Sequence, residues 1–257
     1  VAIYLRRADE LEKIKSSCKV VAECFGVAAA AVRPGITTAA IERLIVDHIE
    51  ASGARSAFKG YRGYPAYTCI SVNDQVVHGI PGDRELREGD VVSIDVGVEK
   101  DGYFGDAART FWVGEISPEA KRLLEVTWEA LWRGTEKARE GNRLGDVSSA
   151  IQICAEDAGF SVVRDLVGHG IGRAMHEEPQ IPNFGRPGQG PRLRVGMVLA
   201  IEPMVNAGDW HVRTLADQWT VVTEDGSLSA HFENTVAITP SGPLALTATD
   251  EDKWGRG

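Results

Sequence analysis

Asp95 interrupts Val91-Val-Ser-Ile-Asp-Val-Gly-Val98, a stretch of β-branched residues that reads as a buried strand. An ionised carboxylate there costs several kcal/mol or more unless a cation meets it or it gives up its charge. Lys100-Asp101-Gly102 is a turn signal, and the chain returns as a second strand over Tyr103 to Val113. A two-residue turn at 100–101 sets Asp106 opposite Asp95, and a turn at 101–102 sets it opposite Gly97. Both registers place the two acids on one face, because strand faces alternate with period two. Two carboxylates on one face repel unless a proton or a metal joins them. Taken alone, the pair is read equally well as surface acids, or as acids bonded to backbone amides and Arg109.

Three residues farther along shift that balance. Glu202 ends Met197-Val-Leu-Ala-Ile-Glu202, Glu233 lies in Ser229-Ala-His-Phe-Glu-Asn-Thr235, and His169 lies in Leu166-Val-Gly-His-Gly-Ile-Gly172. Glycines beside His169 let backbone approach closely and leave the imidazole room. Four acids and one histidine suit two adjacent divalent ions, with Mn, Fe(II), Co and Zn all accepting carboxylate and imidazole. The set holds no thiolate, which argues against a structural zinc site. Two ions roughly 3.5–4 Å apart activate a bridging water and stabilise an oxyanion, which is the chemistry of hydrolysis. The other histidines say less. His48 reads as solvated, and His211 has no evident role. His231 either supports a ligand carboxylate or simply packs.

Helices must carry these strands. Ala8 to Val32 has apolar residues at helical spacing and is stopped by Arg33-Pro34-Gly35. Thr38 is the expected cap of a second helix ending at Gly53. Ser117-Pro118 opens a third, running to about Glu140, and a fourth spans Leu144 to Gly159. The order repeats: Arg33-Pro-Gly35 to Gly53 matches Arg139-Glu-Gly141 to Gly159 at an offset of 106 residues. Leu86–Asp95 aligns with Leu193–Glu202 at an offset of 107, with five identities in ten positions, and Asp95 falls on Glu202. An ancient duplication explains this better than chance. The expected fold is α+β: two pseudo-symmetric halves, about 8–113 and 117–246, with antiparallel sheet inside and helices outside. No linker separates them, so 1–257 is read as one catalytic domain with a loose polar tail at 247–257.

With 43% hydrophobic and 25% charged residues, the chain of 257 residues is ordinary globular material and excludes a disordered or fibrous protein. A net charge of −9 without a basic cluster argues against nucleic-acid binding. The longest apolar run is far short of the roughly 20 residues of a membrane span. No export signal is seen, and four cysteines without CxxC spacing read as free thiols. Cys18, Cys24 and Cys154 sit at apolar helix positions. The expected setting is the cytoplasm.

The ordered set Asp95, Asp106, His169, Glu202 and Glu233 resembles the metal ligands of the pita-bread metallopeptidases. Around it, Cys69-Ile-Ser-Val-Asn73, His78-Gly-Ile-Pro81, Asp101-Gly-Tyr-Phe-Gly-Asp106, Gly168-His-Gly-Ile-Gly172, His176-Glu-Glu-Pro179 and Ile201-Glu-Pro-Met204 resemble the type I methionine aminopeptidases, from about Ala8 to Leu246. The resemblance implies removal of an N-terminal methionine ahead of a small second residue, by a metal-bridged hydroxide attacking the scissile carbonyl. It makes Asp95 a ligand of one ion, His169 and Glu202 ligands of the other, and Asp106 and Glu233 bridges. Glu202 becomes a proton shuttle, His176 a partner of the scissile amide, and His78 a catalytic residue that contacts the peptide beyond it and assists proton transfer. The methionine pocket would draw on Phe58, Tyr61, Tyr64, Cys69, Met175 and Trp219. Phe58 and Met175 depart from the family's commonest residues, a Cys and a Phe, which bears on the pocket's width. Ser93, Val96 and Ser229 fall where some members bind a monovalent cation. The implied partners are nascent chains at the ribosome, and nothing demands an oligomer.

Two rival readings compete with this one. A proline-specific peptidase of the same fold shares the metal ligands but usually carries an extra N-terminal domain. A non-catalytic relative that binds peptides typically loses ligands, and all five are present here. The absence of a long insertion in the second half favours type I over type II.

Overall fold

The computed structural model describes residues 2–249. The first half contains helices α1 (Ala8–Ala31) and α2 (Thr38–Ala51), then strands β1 (Arg55–Ser56), β2 (Cys69–Val72), β3 (Gln75–Val77), β4 (Val91–Lys100) and β5 (Tyr103–Trp112). The second contains α3 (Pro118–Lys137) and α4 (Leu144–Asp157), then β6 (Ser161–Val162), β7 (Val167–Gly170), β8 (Glu177–Pro182) and β9 (Val198–Ile201). It continues through β10 (Met204–Asn206), β11 (Val212–Thr214), β12 (Val221–Thr223), β13 (Ser229–His231), β14 (Asn234–Thr239) and β15 (Gly242–Ala245).

Two antiparallel sheets carry the molecule. In one, β4 pairs with β5 along one edge and with β1 and β2 along the other; the second runs β15-β14-β9-β7-β8. Two smaller three-stranded sheets, β13-β10-β6 and β11-β12-β3, flank them. Helices cover the outside. Val21, Phe25 and Ala28 of α1 and Ile41, Ile45 and Ile49 of α2 bury against Val92, Ile94 and Val96 of β4. Leu123, Leu124 and Leu131 of α3 and Val147 and Ile151 of α4 bury against Leu199, Ile201 and Val236. Among the described residues, no helix is long and apolar enough to cross a membrane.

The repeat read from the sequence is visible in the backbone. Gly35 and Gly141 donate to the carbonyls of Leu86 and Leu193, and Thr38 and Leu144 donate to those of Arg84 and Pro191. Gly35, Gly53 and Gly89 have positive φ, and so do their counterparts Gly141, Gly159 and Gly196. A left-handed backbone at these stops is what glycine allows at no steric cost.

Three expectations need correction or sharpening. Thr37, not Thr38, caps α2, its side chain accepting from the Ala40 N–H; the Thr38 hydroxyl instead donates to the Gly82 carbonyl. Lys100 pairs with Tyr103, so the turn residues are Asp101 and Gly102, both at positive φ, and Asp106 faces Gly97 rather than Asp95. The tail is not loose from its first residue. Thr247 is fully buried, its hydroxyl donates to Asn234, and its carbonyl accepts from Arg109. The remainder of the expected loose tail, from 250 onward, lies outside the described residues.

Candidate metal centre and substrate pocket

The five candidate ligands, His78, His176 and the six candidate pocket residues all line one cavity of about 1010 Å³. Asp95 sits on β4 with Cys69 of β2 on one side and Ala108 of β5 on the other; Asp106, across from Gly97, projects from the same face. His169 lies on β7 between Ala200 of β9 and Gln180 of β8. Glu202 follows β9 directly, and Glu233 lies between β13 and β14.

The halves are tied together at this point. The Thr235 hydroxyl donates to the Asp106 carbonyl (2.7 Å) and accepts from the Asp106 N–H (3.1 Å). The Glu233 N–H bonds the Ala108 carbonyl (3.0 Å). Arg109, 5% exposed, reaches across to the Glu233 carbonyl (2.6 Å) and the Asn234 side chain (2.9 Å). These links hold acids from distant parts of the chain in one place. Thr235 carried no sequence signal for this role, and Arg109 was read only as a possible partner of the Asp95 and Asp106 carboxylates. Gly97 was also passed over, although an isolated glycine in a strand marks a close approach. A Cβ there would come within 2.5 Å of the Phe58 ring and 3.0 Å of the Met175 methyl.

The electrostatics call for a cation. Asp106, His169 and Glu233 offer ligand atoms all within 4.8 Å of one another. His169 Nε2 lies 3.7 Å from Asp106 Oδ2 and 3.6 Å from Glu202 Oε1. Its Nδ1 faces the Gly170 carbonyl at 2.9 Å, and a carbonyl only accepts. Nδ1 is therefore the donor to that carbonyl, and Nε2 faces the carboxylates, the arrangement of a metal-ligating histidine. Asp95 Oδ1, Asp106 Oδ1 and Glu233 Oε1 are buried without a hydrogen-bond partner. Burial, then repulsion from Asp106, raises the Asp95 pKa far above the usual carboxylate range, and burial pushes Asp106 up to about 8. Glu202 and Glu233 are raised for the same first reason; His169 offsets part of the effect at Glu202, and Arg109 part of it at Glu233. Acids that resist ionising together, with oxygens left unpaired, fit divalent cations of the hard or borderline kind.

Beside this cluster, Phe58, Tyr64, Cys69 and Met175 pack as a buried group, with Tyr61 and Trp219 against it. Trp219 meets the Tyr64 ring edge-on at 5.1 Å, and the Tyr64 hydroxyl donates to the Thr68 and Gly79 carbonyls. His176 opens into the cavity, stacked on Tyr61 at 5.1 Å and 15° and tilted against His169 at 4.1 Å. The walls crowd away part of its hydration, and with His169 beside it the pKa falls to about 3. Burial also lowers the pKa of His78, which follows β3 at φ 59°.

The other candidates fall elsewhere. Ser93 and Ser229 are buried with their hydroxyls bonded to Thr110 (2.9 Å) and Asn206 (2.9 Å), and Val96 is buried on β4. His231 is buried, with Nε2 unpaired and 3.8 Å from Glu202 Oε2. His48 is half-buried and meets Glu23 of α1 at 3.2 Å, so it is less solvated than expected. His211 is exposed beside Asp209 and Trp210. Cys18, Cys24 and Cys154 are buried free thiols, as their apolar positions required.

Residues 12–240 match Metallopeptidase family M24. A methionine aminopeptidase of Clostridium perfringens is 56% identical over 245 residues, covering 95% of this chain and 98% of its own. The crystal structure of a methionine aminopeptidase from Thermotoga maritima superposes with a TM-score of 0.95 at 47% identity, over 96% of this chain and 100% of that one. A prolidase from Pyrococcus furiosus shares the fold alone: TM-score 0.79 at 24% identity, with 96% of this chain covering 66% of that one. Cavity, unpaired carboxylates and these likenesses converge on one assignment: the chain belongs to metallopeptidase family M24, among its methionine aminopeptidases.

Proposed function

We propose that this enzyme removes the N-terminal methionine from nascent proteins and peptides whose second residue is small. The observation that carries the reading is the adjoining of two unlike surfaces in one cavity. One is a set of buried carboxylates with unpaired oxygens, the other an apolar pocket of Phe58, Tyr64, Cys69, Met175 and Trp219. Soft and aromatic groups suit a thioether side chain.

Asp95, Asp106, His169, Glu202 and Glu233 would hold two divalent ions, with Asp106 and Glu233 shared between them. When bound, such ions lower the pKa of water and polarise a carbonyl. The chain's own groups do the rest. Asp95 faces the approach of the free α-amino group, which confines cleavage to the first residue. The pocket orients the methionine so that its carbonyl lies beside His176. That imidazole, neutral at physiological pH because of its low pKa, donates a hydrogen bond at the scissile amide without adding charge. His78, neutral for the same reason, contacts the peptide beyond the cut. Glu202 carries a proton on its carboxylate between water and the leaving amine. Crowding around the scissile bond restricts the second residue to Gly, Ala, Ser, Thr, Cys, Pro or Val. A monovalent cation on the carbonyls near Ser93, Val96 and Ser229, a cytoplasmic monomer, and nascent chains at the ribosome complete the reading.

The test strips the protein with chelator, restores Mn, Co, Fe(II) or Zn separately, and assays methionine release from Met-Gly-Met-Met beside an X-Pro peptide lacking methionine. Metal-dependent cleavage of the first alone supports the reading. Cleavage of the X-Pro peptide alone moves the function to the proline-specific rival, and silence on both with metal bound leaves a peptide-binding role.

A further inference from the structure

The loop from Ile171 to Glu177 carries Met175 and His176 into the cavity, and part of what fixes it comes from the far end of the chain. The segment ahead of α1 lies along this loop: Ile3 bridges to Glu178, and the Arg6 N–H bonds the Gly196 carbonyl at 2.7 Å. Its neighbours face outward, Tyr4 being 55% and Leu5 38% exposed. Arg6 turns inward, and its guanidinium pairs with Glu177 Oε2, both side chains buried. The other oxygen of Glu177 accepts the backbone N–H groups of Arg173 (2.8 Å) and Ala174 (3.0 Å). The guanidinium also lies against Gly172, where a Cβ would come within 2.3 Å of Arg6 Nη2. One carboxylate, held by Arg6, thus gathers the backbone immediately ahead of Met175 and His176.

The His176 ring is open to the cavity, so its place depends on this backbone and on the flanking rings of Tyr61 and His169. We propose that Arg6 is a positioning residue for His176, acting through Glu177 to hold the 171–177 loop against the metal cluster. A buried carboxylate that loses its guanidinium partner is left uncompensated and turns toward water. The two N–H groups it gathers then lose their fixed acceptor. Lysine at position 6 keeps the charge but not the planar fork, so it restores only part of the geometry.

The proposal rests on the peptidase reading for one arm of its test, and a second arm is independent of activity. In the metal-loaded full chain, R6M should lower kcat roughly 10- to 100-fold, the cost of a catalytic group displaced by about an ångström. KM and metal stoichiometry should stay near those of the parent, and R6K should recover part of the loss. With H176A already present, adding R6M should cost less than about twofold, because a residue that acts through His176 has nothing left to act on. Imidazole NMR, with the His176 signal assigned by its disappearance in H176A, should show that signal shifted or broadened in R6M while those of His48 and His211 hold. Losses that multiply in the double variant, or a His176 signal unmoved by R6M, would overturn the proposal. If R6M does not fold, E177Q decides: it keeps an amide oxygen for the two N–H groups, and a kcat and His176 signal equal to the parent's would equally sink the idea. A parent protein that releases no methionine discards the functional reading, and the NMR arm still decides the role of Arg6.

Discussion

The two halves bring their acids to the same cavity by different routes. In the first, Asp95 and Asp106 are eleven positions apart on ten-residue strands joined by a two-residue turn. Their relative placement follows from one local ladder. In the second, Glu202 and Glu233 are thirty-one positions apart, at the ends of β9 and β14. Those strands pair as β4 and β5 do, but strands β10 to β13 lie between them in the chain. The two halves are thus equivalent in their strand frames and not in their connections. The local hairpin needs no help to align its acids, whereas the longer excursion must be closed and then pinned. The Thr235 and Arg109 bonds across the junction do that pinning.

The comparison is broken most directly by removing one proposed bridging acid from each half. Asp106→Ala and Glu233→Ala should each cut turnover by at least roughly a thousandfold, the scale lost with one principal electrostatic element of a site. Metal titration should show both ions weakened in each variant. Loss of one ion only, in either variant, would assign that acid to a single ion and end the symmetry of the two bridges. Next in size, His176→Ala should lower turnover by about 10²–10⁴-fold, the range of a general acid or base. Elemental analysis should find its metal content intact; lost metal would show that His176 belongs with the ligands.

A pair of glycines sharpens the contrast between local and distant packing. A Cβ at Gly168 would lie 2.4 Å from the Ala200 backbone oxygen, and one at Gly97 would lie 2.5 Å from a Phe58 ring carbon. Strands β7 and β9 cannot part without breaking their ladder, while a ring can turn. Gly168→Ala should therefore destabilise more than Gly97→Ala, which should cost about 1–3 kcal/mol and mainly raise KM for methionyl peptides. Urea unfolding of both variants with steady-state kinetics of the second checks this, and equal stability losses would remove the distinction.

The smallest effect concerns pH. Burial raises Asp106 to about 8, against roughly 4 for a free aspartate. Between those values the folded metal-free protein holds a proton that the unfolded chain has lost, so its stability should fall as pH rises across the window. Loading with metal lets the carboxylates ionise in place and should flatten the slope. Thermal melts across the window with and without metal test this, and a metal-free protein that gains stability with rising pH would contradict it.

Much of the site was legible because its signals were local. A carboxylate inside a β-branched strand, a turn at Asp101-Gly102 and a histidine between glycines each declare themselves within a few residues. The helix stops were legible for the same reason, and the misplaced cap at Thr38 erred by a single position between two threonines of equal capping chemistry. The turn register stayed open because either placement keeps both acids on one face; the left-handed backbone at Asp101 and Gly102 decided it. Thr247 was misjudged because its surroundings in sequence are polar, while its partners, Asn234, Thr235 and Arg109, lie in distant strands. Glu177 stood in a quoted motif without a role, since its guanidinium partner is 171 positions away.

Residue types, strand faces and the internal repeat were properties of the sequence by itself, because they depend on side-chain chemistry and on short periodicities. They sufficed to nominate five ligands, while His78 and His176 came from the resemblance to a known family. Which oxygens are left without partners, which nitrogen of His169 faces them, and how Arg109, Thr235 and Arg6 hold the pieces together were decided only by the tertiary structure. Those properties depend on distances between segments far apart in the chain, and such distances are set by how the sheets and helices pack.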